Sequence, residues 1–326
     1  MRRRKFIAGL GSTAAWPLLA RAQQPGMPVV AWFTQSALET NRENIIAFHQ
    51  GLAETGYIEG RNVTIEYRSA DGDVARLPLI ARELVSRRVA IIAGLSSTAA
   101  ALAAKAATNT IPLVFYIGAD PVKNGLVASL NHPGGNLTGV SLMLNDLGPK
   151  RLELLRDVVP GNTTISALVN PTNPNAKSDT EELVKAANSM GLSVEVFPAS
   201  TELDIDRVFA TLAVRPTSLL FVVADSYLSS RRNQITALAA YHKIPGSYDL
   251  RSYVDAGGLM SYAPDLLDAA RQAGVYTGRI LKGEKPADLP IVQPTKFQFA
   301  LNLKTANALG LTIPNNVLLL ADVVIE

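Results

Sequence analysis

The chain has 326 residues, 48% of them hydrophobic and 18% charged, and contains no cysteine. That length suits two domains with a core each, and the missing thiols exclude disulfides, a lipidated cysteine anchor and any cysteine-based metal or catalytic centre. The formal net charge of +3 arises in the first 22 residues, where Arg2, Arg3, Arg4, Lys5 and Arg21 stand without an acidic side chain; the remainder carries 26 basic against 28 acidic residues, so neither nucleic acid nor an anionic membrane surface is an expected partner.

Arg3-Arg4-Lys5-Phe6-Ile7 opens a modestly apolar run through Ala20. At about 15 residues it is shorter than the roughly 20 that a membrane-spanning helix needs. Ala20-Arg21-Ala22 supplies small residues at the −3 and −1 positions of a cleavage site, so residues 1–22 read as an export signal. Its paired arginines resemble the twin-arginine class, with an ordinary Sec signal as the alternative. Either route predicts a soluble periplasmic protein beginning at Gln23.

Strand-like and helical runs then alternate. Val29 to Thr34 reads as a strand, and Ile45, Phe48, His49 and Leu52 recur at helical spacing until Gly56. Val63 to Arg68 is a second strand; Leu77, Ile80, Ala81, Leu84 and Val85 mark a helix with Pro78 in its first turn. From Val89 a short apolar run meets Ser96, Ser97 and Thr98 and becomes an alanine-rich helix to Ala107. A strand handing over to a helix through a hydroxyl cap presents free N–H groups and a partial positive charge, a corner suited to a carboxylate; a plain N-cap is the alternative reading. Strands at Leu113 to Ile117 and Leu137 to Leu142 complete a first half.

The second half starts with a helix at Pro149. Strands at Ile165 to Asn170, Val194 to Phe197, Leu219 to Val223, Ile244 to Tyr248 and Gly258 to Tyr262 alternate with helical faces such as Leu183, Ala186, Ala187, Met190 and Ile205, Val208, Phe209, Leu212. One more helix runs from Leu266 to near Gly283. Repeated β-α units of this length predict an α/β protein of two Rossmann-like lobes with parallel sheets. A short internal echo, an apolar strand ending in Ala119-Asp120 and again in Ala224-Asp225, supports two similar halves.

No Walker A pattern, H-E-x-x-H or G-x-S-x-G occurs, and the only G-x-G (Gly9, Gly11) lies in the export signal. His49 and His242 fall at helical positions and His132 precedes a proline. No base and nucleophile are paired by the pattern, so the sequence predicts no catalytic residues, no metal and no cofactor. Polar residues gather instead at the strand ends: Gln35 and Ser36; Ser96 to Thr98; Asp120; Asn170, Asn173 and Asn175; Asp225 and Ser226; Tyr248 and Asp249. In parallel sheets these ends share one edge of each lobe, and two facing lobes would bring them to one cleft. Hydroxyls and helix N–H groups suit a carboxylate, a carboxylate such as Asp225 suits an ammonium, and tyrosines can pack a side chain.

Leu52 to Tyr67, Leu113 to Leu130 with Gly118-Ala119-Asp120-Pro121, His132 to Ser141, Lys150 to Leu155, Ala256 to Asp265, Arg279 to Pro290 and Pro294 to Pro314 together resemble an ABC transporter substrate-binding protein family, related to binders of tryptophan and other aromatic amino acids. The resemblance implies a type I periplasmic binding fold with a three-segment hinge: one lobe of residues 23–141 plus about 259–285, the other of 142–258 plus about 286–326. It further implies a monomer, not an enzyme, that closes on a small carboxylate-containing solute, an amino acid or aromatic acid, and presents it to ABC permease subunits. Ser97 and Thr98 match the carboxylate position and Asp225 an acidic one for an amino group. Ser36, Asp120, Asn175 and Tyr248 are placed on the cleft edge. Where the resemblance implies an aromatic sandwich, Trp32 and Phe33 lie within or beside a strand, a place that also suits core residues. The alternatives are a ligand sensor of the same fold feeding a signalling partner and, from a different class, an exported enzyme.

Overall fold

The computed structural model describes residues 26–161, 164–215 and 219–326; the expected export signal lies outside the described residues. The first lobe runs β1 (Val29–Thr34), α1 (Arg42–Glu54), β2 (Thr64–Ser69), α2 (Leu77–Ser86), β3 (Ile91–Leu95), α3 (Thr98–Ala107), β4 (Leu113–Ile117) and β5 (Leu137–Ser141). Its five strands are all parallel, in the order β2-β1-β3-β4-β5. Every residue of β3 and β4 is buried. This is why those segments read as unbroken apolar runs and not as alternating ones: helices cover both faces of the sheet.

The second lobe follows with α4 (Gly148–Val158), β6 (Thr164–Val169), α5 (Ala176–Ser189), β7 (Ser193–Pro198), α6 (Glu202–Leu212), β8 (Leu219–Val222), α7 (Ser226–Ser230), α8 (Arg232–Tyr241), β9 (Gly246–Tyr248), α9 (Arg251–Asp255) and β10 (Met260–Pro264). The chain returns to the first lobe in α10 (Leu266–Leu281), then crosses back for β11 (Phe297–Asn302), α11 (Leu303–Ala308), α12 (Asn315–Leu318) and β12 (Val323–Ile325). The second sheet has the order β12-β11-β10-β9-β8-β6-β7. It is parallel except that β11 runs antiparallel to β10, with β12 parallel to β11. The chain passes between the lobes three times, at residues 142–147, at Asp265 and at residues 293–296.

The return into the first lobe falls later than the expected residue 259. Met260–Pro264 pairs with β9 on one side and β11 on the other, so it belongs to the second sheet. The final crossing likewise falls after 286, because Thr138 Oγ1 donates to Leu289 O at 2.7 Å and Val292 bridges Val140. Helical periodicity marked α10 itself, but which sheet accepts a short apolar strand is a matter of pairing that periodicity does not carry.

Packing of α10 on α1 fixes that return. A Cβ at Gly51 would overlap Arg271 O, and one at Gly274 would overlap Phe48 O, so two glycines let the helix backbones touch. Trp32 and Phe33 are fully buried. Trp32 meets Phe48 edge-on at 5.0 Å and is core, as its place within β1 predicts.

Leaving out β11 and β12, the two sheets have one topology. In the first, strand order reverses between β1 and β3; in the second, the same reversal falls between β6 and β8. In open α/β sheets the crevice beyond the carboxyl ends at such a reversal is where ligands lie. This topology also corrects the sequence echo. Asp120 follows the fourth strand of its lobe whereas Asp225 follows the third, so the counterpart of Asp225 is the Ser96–Thr98 turn and the counterpart of Asp120 is Asp249.

Candidate functional site

The two reversal points face each other across a cavity of about 470 Å³. Ser36 after β1 and Ser96, Ser97 and Thr98 after β3 form the first-lobe wall. Asn173 and Asn175 after β6, Asp225 and Ser226 after β8, and Asp249 after β9 form the second. Tyr116, Leu142, Leu144, Leu250 and Leu266 add apolar surface.

At the start of α3, Ser97 is the N-cap, and its Oγ accepts from Ala100 N at 3.1 Å. Gly94, with φ +70°, lies at a register shift in β3, and a side chain there would enter the Trp32 ring. It lets the chain leave β3 and turn into the cap. The first N–H groups of a helix have no intrahelical acceptor. Ser97 serves that of Ala100, and those of Thr98 and Ala99, both cavity-lining residues, remain. The hydroxyls of Ser97 and Thr98 accept within the protein and keep their protons to donate. A helix N-terminus with two N–H and two O–H donors has the chemistry that suits an anionic group.

Hydrogen bonds tie the lobes together around this cavity. Asn175 Nδ2 donates to Thr98 Oγ1 at 3.0 Å, Ser36 Oγ to Ser226 O at 3.1 Å, and Ser226 Oγ to Ser96 O at 3.1 Å. Lys123 Nζ reaches Glu182 Oε1 of α5 at 3.5 Å and Asp146 of the first crossing at 4.0 Å. The lobes are thus in contact and the cleft is closed.

Of the residues singled out from sequence, Ser36, Ser97, Thr98, Asn175 and Asp225 line the cavity together. Asp225 does so as a helix cap: Oδ1 accepts from Leu228 N at 2.8 Å and Asn170 Nδ2 at 3.1 Å, and Oδ2 from Asn173 Nδ2 at 3.0 Å. Burial pushes its carboxyl up, and those donors oppose the shift. Asp120 and Tyr248 are corrections, since neither lines the cavity. Asp120 Oδ1 accepts from Val122 N and Lys123 N, a turn role in keeping with the proline that follows it. Tyr248 is fully buried and stacked on Tyr253 at 4.7 Å, because the third residue of a covered strand points into the core. Asp249, its neighbour, is the residue that reaches the cavity. The strand end was legible, but not which of two adjacent side chains faced the cleft.

Among the described residues, no cluster of His, Asp or Glu is placed to hold a metal ion and no helix is long and apolar enough to cross a membrane.

A family model for ABC transporter substrate binding proteins matches residues 29–325. The chain belongs to this family. A tyrosine-binding protein of Clostridioides difficile is 29% identical over 264 residues, covering 81% of this chain and 75% of that one. Among solved structures, an ABC domain in complex with L-Trp from a Streptococcus is 28% identical with a TM-score of 0.82, covering 91% of this chain and 99% of that one. The ligand-free, open structure of a substrate-binding protein with adhesive properties from Clostridium difficile is 25% identical with a TM-score of 0.63, covering 92% of this chain and 99% of that one. The lower score is against a structure described as open, whereas the cleft is closed here.

Proposed function

We propose that this chain is the exported, periplasmic receptor of an ABC importer and that it closes on an α-amino acid or a closely related small carboxylate, which it presents to permease subunits as a monomer. The observation that supports this reading is the pair of facing topological reversal points, with unpaired N–H groups and hydroxyls of α3 on one wall and amides and carboxylates on the other. The family supports the importer partnership, and the ligands named for the tyrosine-binding relative and the L-Trp complex support an amino acid. The cavity has no aromatic sandwich: Tyr116 is the single aromatic residue of its lining among the described residues. That lining gives an indole or phenol no special preference over an aliphatic side chain. Export rests on the N-terminal basic and apolar pattern.

The test is a thermal-shift screen of the processed protein against amino acids, aromatic acids and other small carboxylates. A solute present at a hundred times its Kd adds about 2.7 kcal/mol to stability. For a chain of this size that raises the melting temperature by roughly 4 °C. A broad panel without a shift overturns the solute-receptor reading.

A further inference from the structure

The second-lobe wall holds a buried carboxylate, Asp249, with one oxygen that no hydrogen-bond donor meets among the described residues. Asp249 is 2% exposed and lines the cavity, and the oxygen is its Oδ1. A carboxylate removed from water without donors is costly, and natural proteins retain such a group where something else completes it. Asp225 on the same wall is already answered by Leu228, Asn170 and Asn173. Arg151 of α4, 2% exposed, acts on Asp249 by its charge, but its Nη2 donates to Val222 O at 2.7 Å and Ser247 O at 2.9 Å and its Nε meets no acceptor among the described residues, Asp249 included. Its guanidinium lies over the Phe221 ring at 4.1 Å, and no ion pair links it to Asp249. Arg151 therefore influences Asp249 through space and does not satisfy it.

We infer that Asp249 accepts the ammonium group of the solute, and that it makes this receptor select amino acids over acids that lack an amine. The assignment rests on the amino-acid reading above and moves the cationic end of the solute from Asp225, where the sequence placed it, to the neighbouring strand end. The carboxylate site belongs to the first lobe and Asp249 to the second, so a zwitterion engages both walls and links binding to closure. Burial holds the Asp249 carboxyl up at about 7, with Arg151 pulling it down and Asp225 pushing it up. Tyr253 of α9 also faces it. A bound ammonium would restore the ionised form.

The experiment is calorimetric titration of the processed protein at pH 8 with each of the common L-amino acids, and with the des-amino acid matching any that binds. L-tryptophan against indole-3-propionate and L-tyrosine against 3-(4-hydroxyphenyl)propionate are the first pairs. In the wild type, removing the amine should weaken binding by about 30-fold or more. That gap should collapse to within about threefold in Asp249→Asn, because the neutral amide weakens binding of the amino acid and not of its des-amino counterpart. If the Asp249→Asn protein does not fold, Asp249→Ser carries the same comparison. A wild-type protein that binds the des-amino acid as tightly as the amino acid, or an Asp249 variant that keeps the gap, overturns the assignment while the receptor reading stands. If no amino acid binds the wild type, the amino-acid reading itself fails and takes this inference with it.

Discussion

Thr98→Val separates solute recognition from folding. Valine keeps the β-branched shape at the first position of α3 and removes one hydroxyl, and Ser97 still caps the helix. The lost hydroxyl has two roles: it has a proton to give to a solute carboxylate, and its oxygen accepts Asn175 Nδ2 of the opposite lobe at 3.0 Å. A hydrogen bond to a charged group contributes about 1.5–3 kcal/mol, and a buried donor left unpaired costs about 1–3 kcal/mol. The second cost is incurred only in the closed state, because Asn175 can turn to water when the lobes part. Together they predict a loss of about 2.5–6 kcal/mol, or roughly seventyfold to more than ten-thousandfold in Kd. Global unfolding has the same hydroxyl exposed on both sides of the transition once the lobes open, so the ligand-free melting temperature should move by no more than about 1 °C. Calorimetric titration gives the affinity, and small-angle scattering with and without solute reports closure. Thr98→Ser, which keeps the hydroxyl, should bind within about fivefold of wild type. A Thr98→Val protein that binds within fivefold of wild type refutes the argument, since neither the carboxylate contact nor the interlobe bond would then matter.

Gly274→Ala places a methyl group against Phe48 O where α10 lies on α1. Overpacking of this kind costs about 1–3 kcal/mol, and the melting temperature should fall by about 2–5 °C; a change under 1 °C would mean the helices have room to separate. The pH profile of the ligand-free protein carries a second signature of Asp249. Its folded pKa of about 7 lies above the unfolded value of about 3.9, so the folded state holds the proton more tightly. Its contribution is fully present below about pH 4 and is lost as pH rises through about 7. Asp249→Asn should remove that part of the decline, measured by thermal melts between pH 4 and 8. Asp179, whose burial also raises its carboxyl to about 7, should leave a residual slope in the variant. An unchanged profile would show that Asp249 is ionised in the folded protein without penalty.

The hydroxyl cap at the head of α3 was readable because it is local. Ser97 capping a helix that continues directly from a strand is a matter of a few consecutive residues, and the structure shows that cap. Asp225 was readable as a polar strand end but not in its role, since the three donors that fill its oxygens come from Asn170, Asn173 and Leu228, two of them more than fifty residues away. Tyr248 and Asp249 show the limit most clearly. Both stand at the same strand end, and side-chain direction depends on where the strand stops pairing, which neighbouring strands decide. Met260–Pro264 failed for the same reason, as a short apolar strand fits either sheet until its partners are known.

The sequence by itself determined the class of fold, the succession of β-α units and a hydroxyl cap within Ser96–Thr98, because hydrophobic period and capping chemistry act over a few residues. Only the tertiary structure decided that the two sheets share one topology with their reversal points facing, that Asn175 and Thr98 meet across the cleft, and that Asp249 lines it with an oxygen that no donor meets among the described residues. Those facts depend on strand order and lobe closure, which join residues that are distant in the chain and have no local pattern to announce them.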